Sequence, residues 1–193
     1  MSLQKYSKTA PLLKVNLKPS FLFIVAFILS FDSENLSFFS LLAALLHEAS
    51  HVAVLLILRI PSRLTFKLGG MSLKVNSALQ KREWLFLIAG PFSNLLVFFL
   101  FPKTLFGAVN LLVGAVNLLP IYFTDGGRLL SLFLSRFLSA TALHFTETVV
   151  STIFLVPLFT VGLFVLFKSP YNFTLLIAAV YLITALISGK ALD

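Results

Sequence analysis

The chain has 193 residues, of which 59% are hydrophobic and 11% charged, and it contains no cysteine. That balance excludes an ordinary soluble globular protein, and the length suits one compact membrane bundle without disulfides or a thiolate metal site. The formal charge of +8 lies in Lys and Arg at the ends of apolar segments, which reads as membrane topology and argues against nucleic acid as a partner.

Lys5, Lys8, Lys14 and Lys18 precede an apolar run that begins at Phe21. No small-residue cleavage site follows, because the chain continues Asp32-Ser33-Glu34-Asn35, so a retained first span over 15–31 is expected. A second span, 36–60, ends at Arg59, Pro61 and Arg63. Residues 64–75 then change period, with Leu64, Phe66 and Leu68 alternating before Gly69-Gly70 and Met71, Leu73 and Val75 alternating after it. This predicts a β-hairpin at the membrane interface, turning on Gly69-Gly70 with Leu68 opposite Met71.

A third span over 85–101 is interrupted by Gly90-Pro91, where the missing proline N–H frees a carbonyl that must face protein or water. Asn94, one turn later, either repairs that break or contacts substrate. The fourth span, 104–123, holds a duplication, Gly-Ala-Val-Asn-Leu-Leu at 107–112 and again at 114–119. Gly107 and Gly114 share a face suited to close helix packing, and Asn110 and Asn117 share another. Pro120 unwinds the end of this span ahead of Thr124-Asp125-Gly126-Gly127-Arg128. Residues 129–146 read as an amphipathic interfacial helix, 147–167 as a fifth span and 172–188 as a sixth.

The expected fold class is therefore an all-α integral membrane protein: six transmembrane helices with a small membrane-associated β-hairpin after the second. With the basic N-terminus inside, thirteen of the fifteen Lys and Arg fall on the cytoplasmic side, which places both termini there.

Within the second span stands Leu45-Leu46-His47-Glu48-Ala49-Ser50-His51. On a helix, residues four apart lie one turn above the other, so His47 and His51 can hold one metal ion with Glu48 beside them. This is the H-E-x-x-H pattern, in which two histidines hold zinc and the glutamate serves as general base. Three ionisable groups within five residues of a membrane span are costly unless a metal or a polar cavity receives them. The motif ends eight residues before Arg59, about 12 Å at helical rise, so the ion is expected within the membrane towards its cytoplasmic side.

Catalytic zinc takes three protein ligands. The third must come from Asp32, Glu34, Glu83, Asp125, His144, Glu147 or Asp193. Depth favours Asp125, which follows the Pro120 break and is flanked by two glycines that permit close backbone approach. Its alternative role is to cap the next helix. His144 and Glu147, three apart, are expected to pair with each other.

These residues together resemble the site-2 protease family, the intramembrane zinc metalloproteases. The resemblance rests on His47-Glu48-x-x-His51, Ala89-Gly90-Pro91-x-x-Asn94 and Asn117-x-x-Pro120-x-x-x-x-Asp125-Gly126-Gly127, in the family's order and spacing, and covers roughly residues 36–130. It implies one Zn²⁺ per chain held by His47, His51 and Asp125, with Glu48 as catalytic base. Asn94, Asn117, Pro120, Gly69 and Gly70 are the candidates for substrate contact.

The implied activity is hydrolysis of a peptide bond in or near a transmembrane segment. The partners are then a membrane protein substrate and the lipid bilayer, with a membrane regulator or a second copy as further candidates. The short form is similar to the branch that includes the bacterial sporulation protease acting on a pro-sigma factor, so a bacterial cell membrane is the expected setting. About twenty residues between spans two and three leave no room for a PDZ domain, and no CBS domain is expected after Ala191. Two other classes compete: an intramembrane metal transporter, which would need polar ligands along a path to both faces, and a catalytically inert scaffold, which would not require Glu48.

Overall fold

The computed structural model describes residues 13–17, 35–60, 62–67, 70–75 and 82–168. In chain order these form β1 (Leu13–Leu17), α1 (Leu36–Ile57), β2 (Ser62–Lys67), β3 (Gly70–Val75), α2 (Glu83–Leu100), α3 (Leu105–Leu118), α4 (Asp125–Leu134) and α5 (Ala140–Lys168). Three stretches are long and apolar enough to cross a membrane: α1, α2 and residues Ala140–Val161 of α5. The described residues thus hold five helices and three candidate spans rather than six, and the expected sixth span at 172–188 lies outside them.

Each helix presents one stripe to its neighbours and leaves the rest for lipid. On α1 the buried stripe is Ala43, His47, His51 and Leu55, a four-residue repeat that turns both imidazoles inward. On α2 it is Phe86, Leu87, Gly90, Pro91 and Asn94. On α3 it is Gly107, Val109, Asn110 and Gly114. Large apolar side chains on the opposite faces, such as Ile57 and Phe99, are 77% and 73% exposed, as a surface that meets acyl chains requires. Leu55, Ile60, Phe86 and Leu87 form the apolar core, with Leu129 and Leu132 of α4 packed against it.

The helix ends explain where the boundaries differ from expectation. α1 stops at Ile57 because Arg59 takes a left-handed conformation (φ 52°) and the Ile60 N–H closes back on the Leu55 carbonyl at 2.9 Å. α3 has 14 residues, about 21 Å at helical rise and short of a ~30 Å hydrocarbon core. It ends at Leu118 because Pro120 drives Leu119 to an extended ψ of 142°.

The interfacial helix expected over 129–146 is instead divided. Thr124 caps a helix that begins at Asp125 and ends at Leu134, and residues 140–146 belong to the long helix α5. Ser139 marks that second start, accepting from the Ala142 N–H at 3.4 Å.

The strands form one sheet in the order β1-β2-β3, with β1 parallel and β3 antiparallel to β2. β1 overturns the start of the expected first span, because Val15–Leu17 pair with Leu64–Phe66 and so are not helical. The rest of that span, 18–31, lies outside the described residues. Between β2 and β3 the closing pair is Lys67 with Gly70, so Phe66, not Leu68, stands opposite Met71. Gly70 therefore belongs to β3 and not to the turn. This shift of two along one strand keeps the pairing in phase with the two-residue alternation.

Candidate metal centre

Two helices bring the chemistry-bearing side chains together and a third backs them. The Nε2 atoms of His47 and His51, one turn apart on α1, lie 3.2 Å from each other. Asp125 Oδ2, from the first turn of α4, lies 3.0 Å from one and 3.1 Å from the other. All three residues are shielded, with His47 and His51 5% and 3% exposed.

The hydrogen bonds behind the histidines decide what faces this centre. His51 Nδ1 is 2.7 Å from the Phe86 carbonyl oxygen, which can only accept, so Nδ1 carries the proton. His47 Nδ1 is 2.7 Å from Asn94 Oδ1. Asn94 spends its NH₂ group on the Ala43 carbonyl at 3.1 Å and on Asn110 Oδ1 at 2.7 Å, so it meets His47 with its oxygen and accepts the Nδ1 proton. Both Nε2 lone pairs are therefore bare.

Two lone pairs and a carboxylate oxygen converging within hydrogen-bond distance repel unless a positive charge sits among them. One proton bridges two of these atoms, whereas a tetrahedral metal ion takes all three. Zinc with bonds of about 2.0–2.1 Å holds its ligands about 3.3 Å apart, close to the separations here, and two imidazoles with one carboxylate make a donor set zinc accepts. The residues fit the group.

Backbone detail makes room for such an ion. A Cβ built on Gly90 runs into Nε2 of both histidines, so a side chain at this position would have to displace the imidazoles. Pro91 within α2 removes the N–H that would have bonded Leu87, in the turn whose Phe86 carbonyl receives His51. On α4 a Cβ at Gly127 would strike the Ile121 backbone, so only glycine lets the first turn close against the preceding loop.

Thr124, not Asp125, is the helix cap. Its hydroxyl oxygen accepts from the Gly127 N–H at 3.2 Å and lies 2.8 Å from the Ile121 carbonyl oxygen, to which it can donate. The Asp125 carboxylate is thereby released towards the histidines.

Glu48 follows His47 on α1 and is half-buried; among the described residues no hydrogen bond or ion pair occupies its carboxylate. The residues expected to touch substrate have different fates. Asn94 is fully buried with its amide on protein partners, where it backs His47. Asn117 is half-buried at the end of α3 and donates to the Val113 carbonyl at 3.0 Å, and Pro120 terminates that helix. Gly70 opens β3, while Gly69 lies outside the described residues. His144 and Glu147 do not pair: His144 is exposed, Glu147 is buried, and no bond joins them.

Three contributors are not assigned to the site by motif spacing: Asn110, Thr124 and the steric role of Gly90. Thr124 is visible in the sequence as a capping residue directly before the candidate acidic ligand. Asn110 was visible only as an unusually polar residue in an apolar helix.

No family model and no curated protein matches the sequence. Among solved structures, the chain is similar to the Site-2 Protease from Methanocaldococcus jannaschii, with a TM-score of 0.64 and 17% identity, over 94% of this chain and 93% of that one. At that identity the likeness is one of fold.

Proposed function

We propose that this membrane protein, built on the fold of a site-2 protease, belongs to that family and is an intramembrane zinc metalloprotease. The observation that carries the reading is the convergence of His47 Nε2, His51 Nε2 and Asp125 Oδ2 at 3.0–3.2 Å with no proton of their own to share. His47, His51 and Asp125 would hold one Zn²⁺, which supplies Lewis-acid activation of a water and of the scissile carbonyl. Glu48 takes the proton from the attacking water and returns it to the leaving amine nitrogen. Its carboxylate has no competing partner among the described residues, which leaves it free for both transfers.

A substrate helix hides its peptide bonds in its own hydrogen bonds. β3 supports a way around this, because among the described residues it has one neighbour, β2, and its other edge is unpaired. Locally unwound substrate adds there as a further strand, with Gly69, Gly70 and Asn117 as candidate contacts. The charge asymmetry of the sequence supports cytoplasmic termini and a site reached from that side.

The test is the metal content of detergent-purified protein together with turnover of a membrane-embedded peptide. Wild type is expected to carry about one zinc per chain, Asp125→Ala to lose it, and Glu48→Gln to keep it while turnover falls on the order of 10²–10⁴-fold. Metal-free wild type, purified without chelators, would refute the reading. Substantial turnover in Glu48→Gln would remove Glu48 as base.

A further inference from the structure

The duplicated segment of α3 places two asparagines seven residues apart, and they behave differently. Asn117 bonds within its own helix. Asn110, fully buried, does two things at once: its NH₂ donates to the Phe106 carbonyl at 2.9 Å, and its Oδ1 receives Asn94 Nδ2 at 2.7 Å. Because the bond to Phe106 commits the NH₂ end, the oxygen must face Asn94. Two acceptors, Asn110 Oδ1 and the Ala43 carbonyl, then fix which way round the Asn94 amide lies.

We infer that Asn110 is a positioning residue of the metal centre: through Asn94 it holds His47 with its proton on Nδ1 and so presents a bare Nε2 to the ion. This rests on the zinc reading above and adds a residue that touches neither metal nor substrate. The alternative orientation of Asn94 would aim an N–H at His47 Nδ1, push the imidazole proton to Nε2 and block the ligand atom. Gly114 permits the approach, since a Cβ there would stand 3.2 Å from Asn94 Cβ. Hydrogen-bonding partners of metal-bound histidines generally change metal affinity 10–100-fold when lost.

The test compares wild type, Asn110→Leu and Asn110→Asp, the last of which keeps an oxygen facing Asn94. Two quantities are read: zinc affinity by chelator competition, and the ¹⁵N signal of His47 Nδ1 in metal-stripped protein. Asn110→Leu is expected to bind zinc about 10–100-fold more weakly and to show a fraction of unprotonated Nδ1, while Asn110→Asp stays close to wild type in both. Wild-type affinity and a fully protonated Nδ1 in Asn110→Leu would overturn the inference.

Should Asn110→Leu fail to fold, the remaining proteins still decide. An unprotonated Nδ1 in metal-stripped wild type, or zinc binding lost in a folded Asn110→Asp, would overturn the relay. Retention of both properties would uphold it. A wild type that binds no zinc sinks the metalloprotease reading separately, because the Nδ1 signal judges the relay without metal.

Discussion

At the scale of single residues, the centre depends on atoms that are absent as much as on those present. Gly90 stands where any Cβ would meet both imidazole tips. Alanine is the better helix former by about 1 kcal/mol, so helix propensity alone favours Gly90→Ala. The methyl would nonetheless enter the space between His47 and His51, which are pinned from behind by Asn94 and Phe86. The expected outcome is loss of zinc with α2 still helical, checked by metal analysis beside circular dichroism; full zinc occupancy would show that the histidines yield. The candidate ligands were legible in the sequence as a pattern, because His47 and His51 need only helical spacing and Asp125 is the acid expected at that depth. What backs them was not, since the contact between Asn94 and Asn110 depends on how two separate helices pack.

At the scale of elements, α4 shows how a cap aims a candidate ligand. Thr124 holds the Gly127 N–H and so frees the carboxylate that follows it. Thr124→Ala should cost about 1 kcal/mol of stability, and it should weaken zinc binding as the first turn of α4 frays. Thr124→Ser keeps the hydroxyl and should restore both, as read by thermal unfolding and chelator competition. Unaltered zinc affinity in the alanine variant would mean that the glycine contacts alone orient Asp125. The same cap explains why hydropathy misplaced the element. Apolar content continues smoothly from Leu129 to Phe145, whereas the division into α4 and α5 is set by Thr124 and Ser139, which composition averages away. β1 was overlooked for a related reason: Leu13, Val15 and Leu17 alternate with Lys14 and Asn16, but the adjoining apolar run drew Val15 into a span.

At the scale of the whole molecule, hydropathy announces the membrane class, and α1, α2 and α5 carry it. The sheet is the part assembled from distance, with β1 pairing to a strand that arrives only after α1. If the free edge of β3 receives substrate, Leu73→Pro should abolish cleavage of a membrane-embedded peptide while zinc content stays at wild-type level. Cleavage at the wild-type rate would exclude that edge. The proposed metal ligands also join segments far apart in the chain, since Asp125 meets His51 and His47 across 74 and 78 positions. An ion bound there is a cross-link as well as a reagent: it fastens a ten-residue helix, too short to persist alone, to a membrane-embedded partner. Chelation should therefore soften the protein locally, speeding amide exchange in residues 119–134 while α1 and α2 remain protected. Uniform protection after metal removal would mean that α4 is anchored by its apolar contacts, without the clasp.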